Sequence, residues 1–263
     1  MDPRASAILH AYDNGGQLAP LSDTAGLDLD EAYGISGEIH SARLARGEVV
    51  RGRKIGFTNR SIWEKYGVDA PMWSYIYDTT YNELGDDGVI ALPPQAEPRL
   101  EPEIALCFKA TPTADMSVAE IANCIAWVSH SIEIVASPFP GWNFTIADCV
   151  AAQALHASFW CGSKIDAAQV FADGASVLEE FSLCLTGPEV ERTGHATDVL
   201  GGPLHALKFL LAEIPRMPGA LPIQPGEVIT TGTLTDGHPV ATGEVWTSSL
   251  SGIDLPGLSI RIA

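Results

Sequence analysis

The sequence predicts an α+β fold, in which a β-rich core carries attached helices and follows a helical N-terminal portion. Three observations lead there. The chain holds 25 glycines and 18 prolines among 263 residues, so it turns often, which suits many short strands better than long helices. Apolar residues recur near helical spacing in residues 1–50, whereas after Arg53 the texture changes to short runs rich in β-branched and aromatic residues. Hydrophobic residues at 46% against 18% charged supply enough apolar surface for a packed core and argue against disorder.

In chain order, Ala5 to Ala11 reads as a short amphipathic stretch and Asp28 to Ala45 as a longer helix with an acidic start. The segments KIGF, PEIALCF, SIEIVAS, FSLCL and EVITTGT read as strands. Helices interrupt them: Ser117 and Glu120 form a capping-box pattern opening one that runs toward Ala126, Thr145 to Leu155 forms a second, and Pro203 to Glu213 a third. Pro225 to Ile262, rich in Gly and β-formers, reads as paired strands joined by turns. No repeat or low-complexity linker divides the chain, so residues 1–50 and the β-rich domain of residues 51–263 are expected to form one structural unit.

A net charge of −18 repels phosphate backbones and anionic bilayers, so nucleic acid and membranes are poor partners. The same field repels a small anion. A site for one must therefore carry its own positive charge, from a metal ion or a few Lys and Arg. The five cysteines, Cys107, Cys124, Cys149, Cys161 and Cys184, are scattered and never in a CxxC pair, which argues against a disulfide framework or a cysteine zinc site. The stretch MDPRASAILHAYDNGG lacks the apolar run of a signal peptide. Nothing approaches the ~18 apolar residues of a membrane span, and the cytoplasm is the expected compartment. Walker, Rossmann, GxSxG and HExxH patterns are absent.

The strongest local signal is PRLEPEIAL, Pro98 to Leu106. On a strand Glu101 and Glu103 share a face, because side chains alternate with period two. Two buried carboxylates side by side repel each other, and a hard divalent cation such as Mg²⁺ or Mn²⁺ relieves this. An exposed face with two solvated glutamates is the commoner origin of such a pair. Glu133 lies in the apolar run Ser131 to Val135. If inside, it needs a partner and completes a set of three ligands for one metal; on a half-exposed strand it simply faces solvent. Lys54 opens a short apolar strand, a usual surface position, or else it supplies a cation or proton donor beside a bound anion. Asp78 is a metal-site neighbour or a turn aspartate. His130 and His156 have no partner at metal spacing and read as core or surface residues. Asp148 reads as the capping partner of Thr145, and Gly201-Gly202-Pro203 as a tight turn before a helix.

Taken in order, KIGFT, an Asp-containing loop, PRLEPEIAL, SIEIV, GGPLHAL and LPIQPGEVITTGT resemble the 2-keto-4-pentenoate hydratase and 4-oxalocrotonate decarboxylase family, within the fumarylacetoacetate hydrolase superfamily. The likeness is collinear from Ala32-Tyr33 to the C-terminus. It implies a mixed β-sandwich or rolled sheet of the fumarylacetoacetate hydrolase C-terminal type, with a helical N-terminal portion. It implies Glu101, Glu103 and Glu133 as ligands of Mg²⁺ or Mn²⁺, Lys54 as the active-site lysine and Asp78 as its acidic partner. Arg99, Thr231 and Thr233, from Pro98-Arg99 and Thr231-Gly232-Thr233, are expected at the substrate. The implied activity is that of a metal-dependent lyase on a small anionic 2-oxo acid or its dienol: a hydratase adding water to a 2-hydroxy-2,4-dienoate in meta-cleavage breakdown of aromatics. A 4-oxalocrotonate-type decarboxylase, an acylpyruvate C–C hydrolase and a non-catalytic binding homologue are the alternatives. A homo-oligomer is expected. The sequence departs from the family at Met72 to Tyr77, where a Gly-containing segment is usual, at Thr80, where a Met is usual, and at Asp148-Cys149, where Asp-Asn is usual. The expected consequence is a loop around Trp73 that reshapes the substrate pocket.

Overall fold

The computed structural model describes residues 1–60, 63–66, 68 and 70–263, without the side chains of 24, 25, 65 and 66. In the N-terminal portion Asp2 caps the helix Pro3–Asn14 and Asp28 caps Leu29–Ala45, each carboxylate accepting a backbone N–H that the open helix start leaves without a partner. Ile8, Leu9, Tyr33, Ile35 and Ile39 of these helices join one apolar cluster with Leu100, Ile104, Ile132 and Ile134 of the sheet. The N-terminal portion is thus packed onto the core that frames the site.

The strands are β1 Val50–Gly56, β2 Met72–Tyr77, β3 Tyr81–Glu83, β4 Val89–Ile90, β5 Arg99–Phe108, β6 Ile125–Val135, β7 His156–Asp166, β8 Ser182–Gly187, β9 Val190–His195, β10 Val228–Thr230, β11 His238–Pro239, β12 Val245–Ser251 and β13 Ser259–Ile262. Among the described residues they form two sheets. One runs β2-β1-β10-β5-β6-β7-β3, with β11 also paired to β5, and the other runs β4-β13-β12-β8-β9. The pairs β1/β10, β3/β7 and β4/β13 are parallel and the rest antiparallel. The long central pair β5/β6 is buried over most of its length, so its polar side chains must find partners inside the protein.

The structure departs from the sequence reading in several places. Met72–Tyr77, read as a loop, is a strand buried at all six positions. It shows no alternation because both its faces are covered, with the Trp73 indole donating to the carbonyl of Glu213 at the end of helix Pro203–Glu213. The strands β3, β4, β7 and β9 lie outside the segments that read as strands. The helix from Val118 stops at Asn123, since Ile125 already begins β6. The helix from Thr145 is only Ile146–Ala151, and Gln153, Ala154 and Leu155 follow it with left-handed φ of 56°, 49° and 60°. Among the described residues no helix is long and apolar enough to cross a membrane.

Candidate metal and substrate site

Antiparallel register places Glu101 of β5 directly opposite Glu133 of β6, and Glu103 opposite Ser131. With period-two alternation this puts all three carboxylates on one sheet face. One oxygen from each lies within 4.8 Å of the others. Glu103 and Glu133 are fully buried, while Glu101 opens to a cavity. Glu103 Oε2 accepts the backbone N–H of Gly232 at 2.8 Å. Only glycine fits there: φ is +98° and a Cβ would lie 2.0 Å from Thr58 Oγ1. Glu133 Oε1 accepts from His156 Nδ1 at 2.7 Å, and Glu133 Oε2 lies 3.3 Å from the Lys54 ammonium. Glu103 Oε1 and Glu133 Oε2 are buried without a hydrogen-bond partner, a costly state for a carboxylate oxygen unless a cation meets it.

Lys54 reaches the cluster from β1. Alternation sends its neighbour Arg53 the other way, into a buried pair with Glu227 at 2.9 Å and over the rings of Trp73 and Tyr75. Lys54 Nζ also donates to the carbonyl of Ala154 at 3.0 Å. Burial opposes its charge, but Glu133, Glu101 and Glu103 outweigh burial and raise its pKa above the ordinary lysine value. The carboxylates divide. Burial pushes Glu101 up to about 7, against the pull of Lys54 and with the help of Glu133's charge. Burial and then Glu133 hold Glu103 well above the carboxylate range. Glu133, though buried, is held below the ordinary glutamate value by Lys54 and the His156 hydrogen bond. One ammonium among three carboxylates leaves the cluster short of positive charge. Three hard oxygen donors, two of their atoms buried without a hydrogen bond, fit Mg²⁺ or Mn²⁺.

Beside the cluster lies a cavity of about 190 Å³. Lys54, Arg99, Glu101, Thr233 and Asp236 supply polar groups to its wall, and Phe57, Met72, Val135, Trp142, Phe144 and Leu155 supply apolar surface. The Arg99 guanidinium stacks over the Trp142 ring at 3.9 Å, which fixes its plane. Among the described residues no carboxylate lies within ion-pairing distance of it.

The structure therefore brings together Lys54, Arg99, Glu101, Glu103, Glu133 and Thr233. It does not bring Asp78, which is exposed at the turn after β2 and accepts the Val49 N–H at 2.9 Å. The acidic partner of Lys54 is Glu133 instead. Thr231 is buried with its hydroxyl donating to the Ile104 carbonyl at 3.0 Å, so it braces the chain beside β5 and does not line the cavity. Of the segment around Trp73 only Met72 reaches the cavity; Trp73 itself is core. Asp148 caps its helix as expected and also accepts from Ser22. His130 is a core residue, donating to the Glu103 carbonyl and meeting Ser248 Oγ. Sequence reading missed His156, the Ala154 carbonyl, the Gly232 N–H and Asp236. Two of these are backbone groups without a sequence signature. The signal for His156 was a histidine opening an apolar run, HASFW, directly after a helix.

No family model matches the chain. A relative, 2-keto-4-pentenoate hydratase 2 of Dechloromonas aromatica (strain RCB), is 30% identical over 257 residues, covering 96% of this chain and 95% of its own. The fold matches that of 4-oxalocrotonate decarboxylase from Pseudomonas putida G7, complexed with magnesium and adipate, with a TM-score of 0.88 at 24% identity over 99% of this chain and 96% of the other. A yeast fumarylacetoacetate hydrolase family protein shares the fold more distantly, with a TM-score of 0.57 at 14% identity over 80% and 91% of the two chains.

Proposed function

The chain belongs to the 2-keto-4-pentenoate hydratase family, and on that premise we propose that it is a Mg²⁺- or Mn²⁺-dependent lyase adding water to a 2-hydroxy-2,4-dienoate. The observation that carries this reading is the buried carboxylate cluster with two oxygens that make no hydrogen bond, one of them facing only the Lys54 ammonium, beside a cavity that also holds Lys54 and Arg99. Glu101, Glu103 and Glu133 hold the metal, which when bound supplies the Lewis-acid charge that stabilises an enolate.

The chain's own groups do the rest. Arg99, planar and without a carboxylate in ion-pairing distance among the described residues, receives the substrate carboxylate. Lys54, charged at rest, spends one N–H on Ala154 and faces Glu133 with another; its third serves the substrate, giving the diene its proton while the enol hydroxyl returns one. The dienol ketonises as its terminal carbon takes a proton and its hydroxyl gives one up. Water then adds at the carbon remote from the ketone. Asp236, the cavity carboxylate outside the cluster, orients that water, and the aromatic wall excludes bulk solvent. Among the described residues no histidine lines the cavity, which disfavours a histidine-activated C–C hydrolase. We place the protein in the cytoplasm as a homo-oligomer acting on a small 2-oxo acid; five free cysteines suit a reducing compartment.

The test is to supply the Mg²⁺-loaded protein with 2-hydroxypenta-2,4-dienoate and with 4-oxalocrotonate, following dienol absorbance and CO₂ release. Loss of the dienol without CO₂ is expected. Turnover of 4-oxalocrotonate alone, with CO₂ released, would overturn the hydratase reading in favour of a decarboxylase.

A further inference from the structure

The segment leading into β7 stands behind the carboxylate cluster and has an uncommon backbone. Gln153, Ala154 and Leu155 all take left-handed φ, a conformation that residues other than Gly adopt singly and seldom in succession. None of the three is Gly or Asn, so nothing local favours it. Contacts from elsewhere in the fold hold it: Gln153 Nε2 donates to Ser36 Oγ at 2.9 Å, and Ala136 N–H donates to the Leu155 carbonyl at 3.0 Å. Backbone strain of this kind persists where surrounding structure over-determines it.

The turn delivers two groups to the site. The Ala154 carbonyl faces Lys54 Nζ at 3.0 Å, and His156 Nδ1 meets Glu133 Oε1 at 2.7 Å. The other ring nitrogen, Nε2, lies 2.9 Å from Thr80 Oγ1. A carboxylate only accepts, so Nδ1 carries the hydrogen, while Nε2 meets the Thr80 hydroxyl, which also faces the Tyr77 carbonyl at 3.3 Å. The ring is buried and held at both nitrogens.

We propose that His156 is a positioning residue for the metal site. By occupying Glu133 Oε1 it leaves Oε2, which makes no hydrogen bond and has the Lys54 ammonium 3.3 Å away, as the ligand atom, and the strained turn sets this ring and the Lys54 anchor in one piece. The proposal rests on the metal reading above. A histidine that merely filled the core could be replaced by an apolar residue without loss of metal affinity. A positioning histidine could not, and Asn, whose amide N–H stands where Nδ1–H does, should restore it.

The experiment is Mn²⁺ binding, followed by electron paramagnetic resonance of the free ion, in wild type, His156→Leu and His156→Asn, with thermal melts as a check on folding. The expected result is Mn²⁺ affinity weakened about 10–100-fold in His156→Leu and restored to within about threefold of wild type in His156→Asn. If His156→Leu does not fold, His156→Gln replaces it, since its longer amide reaches toward Thr80 and not Glu133; it should bind Mn²⁺ as weakly as predicted for Leu. Wild-type affinity in the Leu or Gln variant, or an Asn variant as weak as these, overturns the proposal. A wild-type protein that does not bind Mn²⁺ overturns the metal reading itself.

Discussion

Replacing Lys54 by Met removes the ammonium beside the carboxylates while keeping most of the side chain's apolar stem. At 3.3 Å from Glu133 Oε2, the charge pair is worth about 5 kcal/mol at an effective dielectric of ~20. Breaking a buried pair costs about 3–5 kcal/mol once desolvation is counted. In the metal-loaded enzyme a cation takes over the compensation of Glu133, so the fold survives and the loss appears in catalysis. As a positioned proton donor Lys54 contributes on the order of 10²–10⁴-fold to the rate. Metal affinity moves the other way, because an ammonium this close repels a divalent ion; Lys54→Met should bind Mn²⁺ as tightly as wild type or more tightly. The assay is kcat/KM from dienol absorbance at saturating metal, alongside a calorimetric Mn²⁺ titration. A kcat/KM within about threefold of wild type, well short of that range, would refute the reasoning. Suspicion would then move to Arg99, since Arg53 is committed to Glu227.

Three further outcomes are expected. Glu103→Gln removes a ligand and should weaken Mn²⁺ binding by at least ~100-fold, beyond the 10–100-fold typical of an outer partner. It should also raise the Tm of the metal-free protein, because it removes a buried carboxyl that the fold strains to hold; an unchanged Mn²⁺ affinity would contradict the ligand assignment. Metal affinity should depend on pH with a definite sign. The ion needs ionised carboxylates, whereas burial raises Glu101 to about 7 and holds Glu103 well above the ordinary glutamate value. Affinity is therefore full above these values and lost as pH falls through about 7, by about one to two decades per pH unit between roughly 7 and 6; a calorimetric series with no slope there would contradict it. Asp78→Asn should leave kcat/KM within about twofold of wild type, because Asp78 serves the turn at Val49 and surface changes away from a site have small effects; a large loss of kcat would return Asp78 to the site.

Much of this architecture could be read from the sequence where local physics and tertiary context agree. The capping boxes at Ser117 and Thr145 mark correctly where their helices start, since a cap is a contact within four residues. The carboxylate pair Glu101 and Glu103 follows from strand periodicity, and the family likeness joined Glu133 to it. Reading failed where burial erased periodicity. β2 is covered on both faces and shows no alternation, so a buried strand passed for a pocket loop. It failed again where a backbone group supplies the function, as at Ala154 and Gly232. It failed at His156, whose partners Glu133 and Thr80 lie 23 and 76 residues away in the chain and meet it only through the pairing of β7 with β6 and with β3. Asp78 was assigned by alignment of a motif, while the carboxylate that actually meets Lys54 comes from a different strand.

The central claim is that Glu101, Glu103 and Glu133 hold a single divalent ion at the cavity floor. The most direct measurement is an anomalous difference map from crystals grown with Mn²⁺. The account predicts one strong peak with an oxygen of each of these three glutamates at about 2 Å. A protein saturated with Mn²⁺ that shows no peak there, or a peak at some other group of residues, would contradict it.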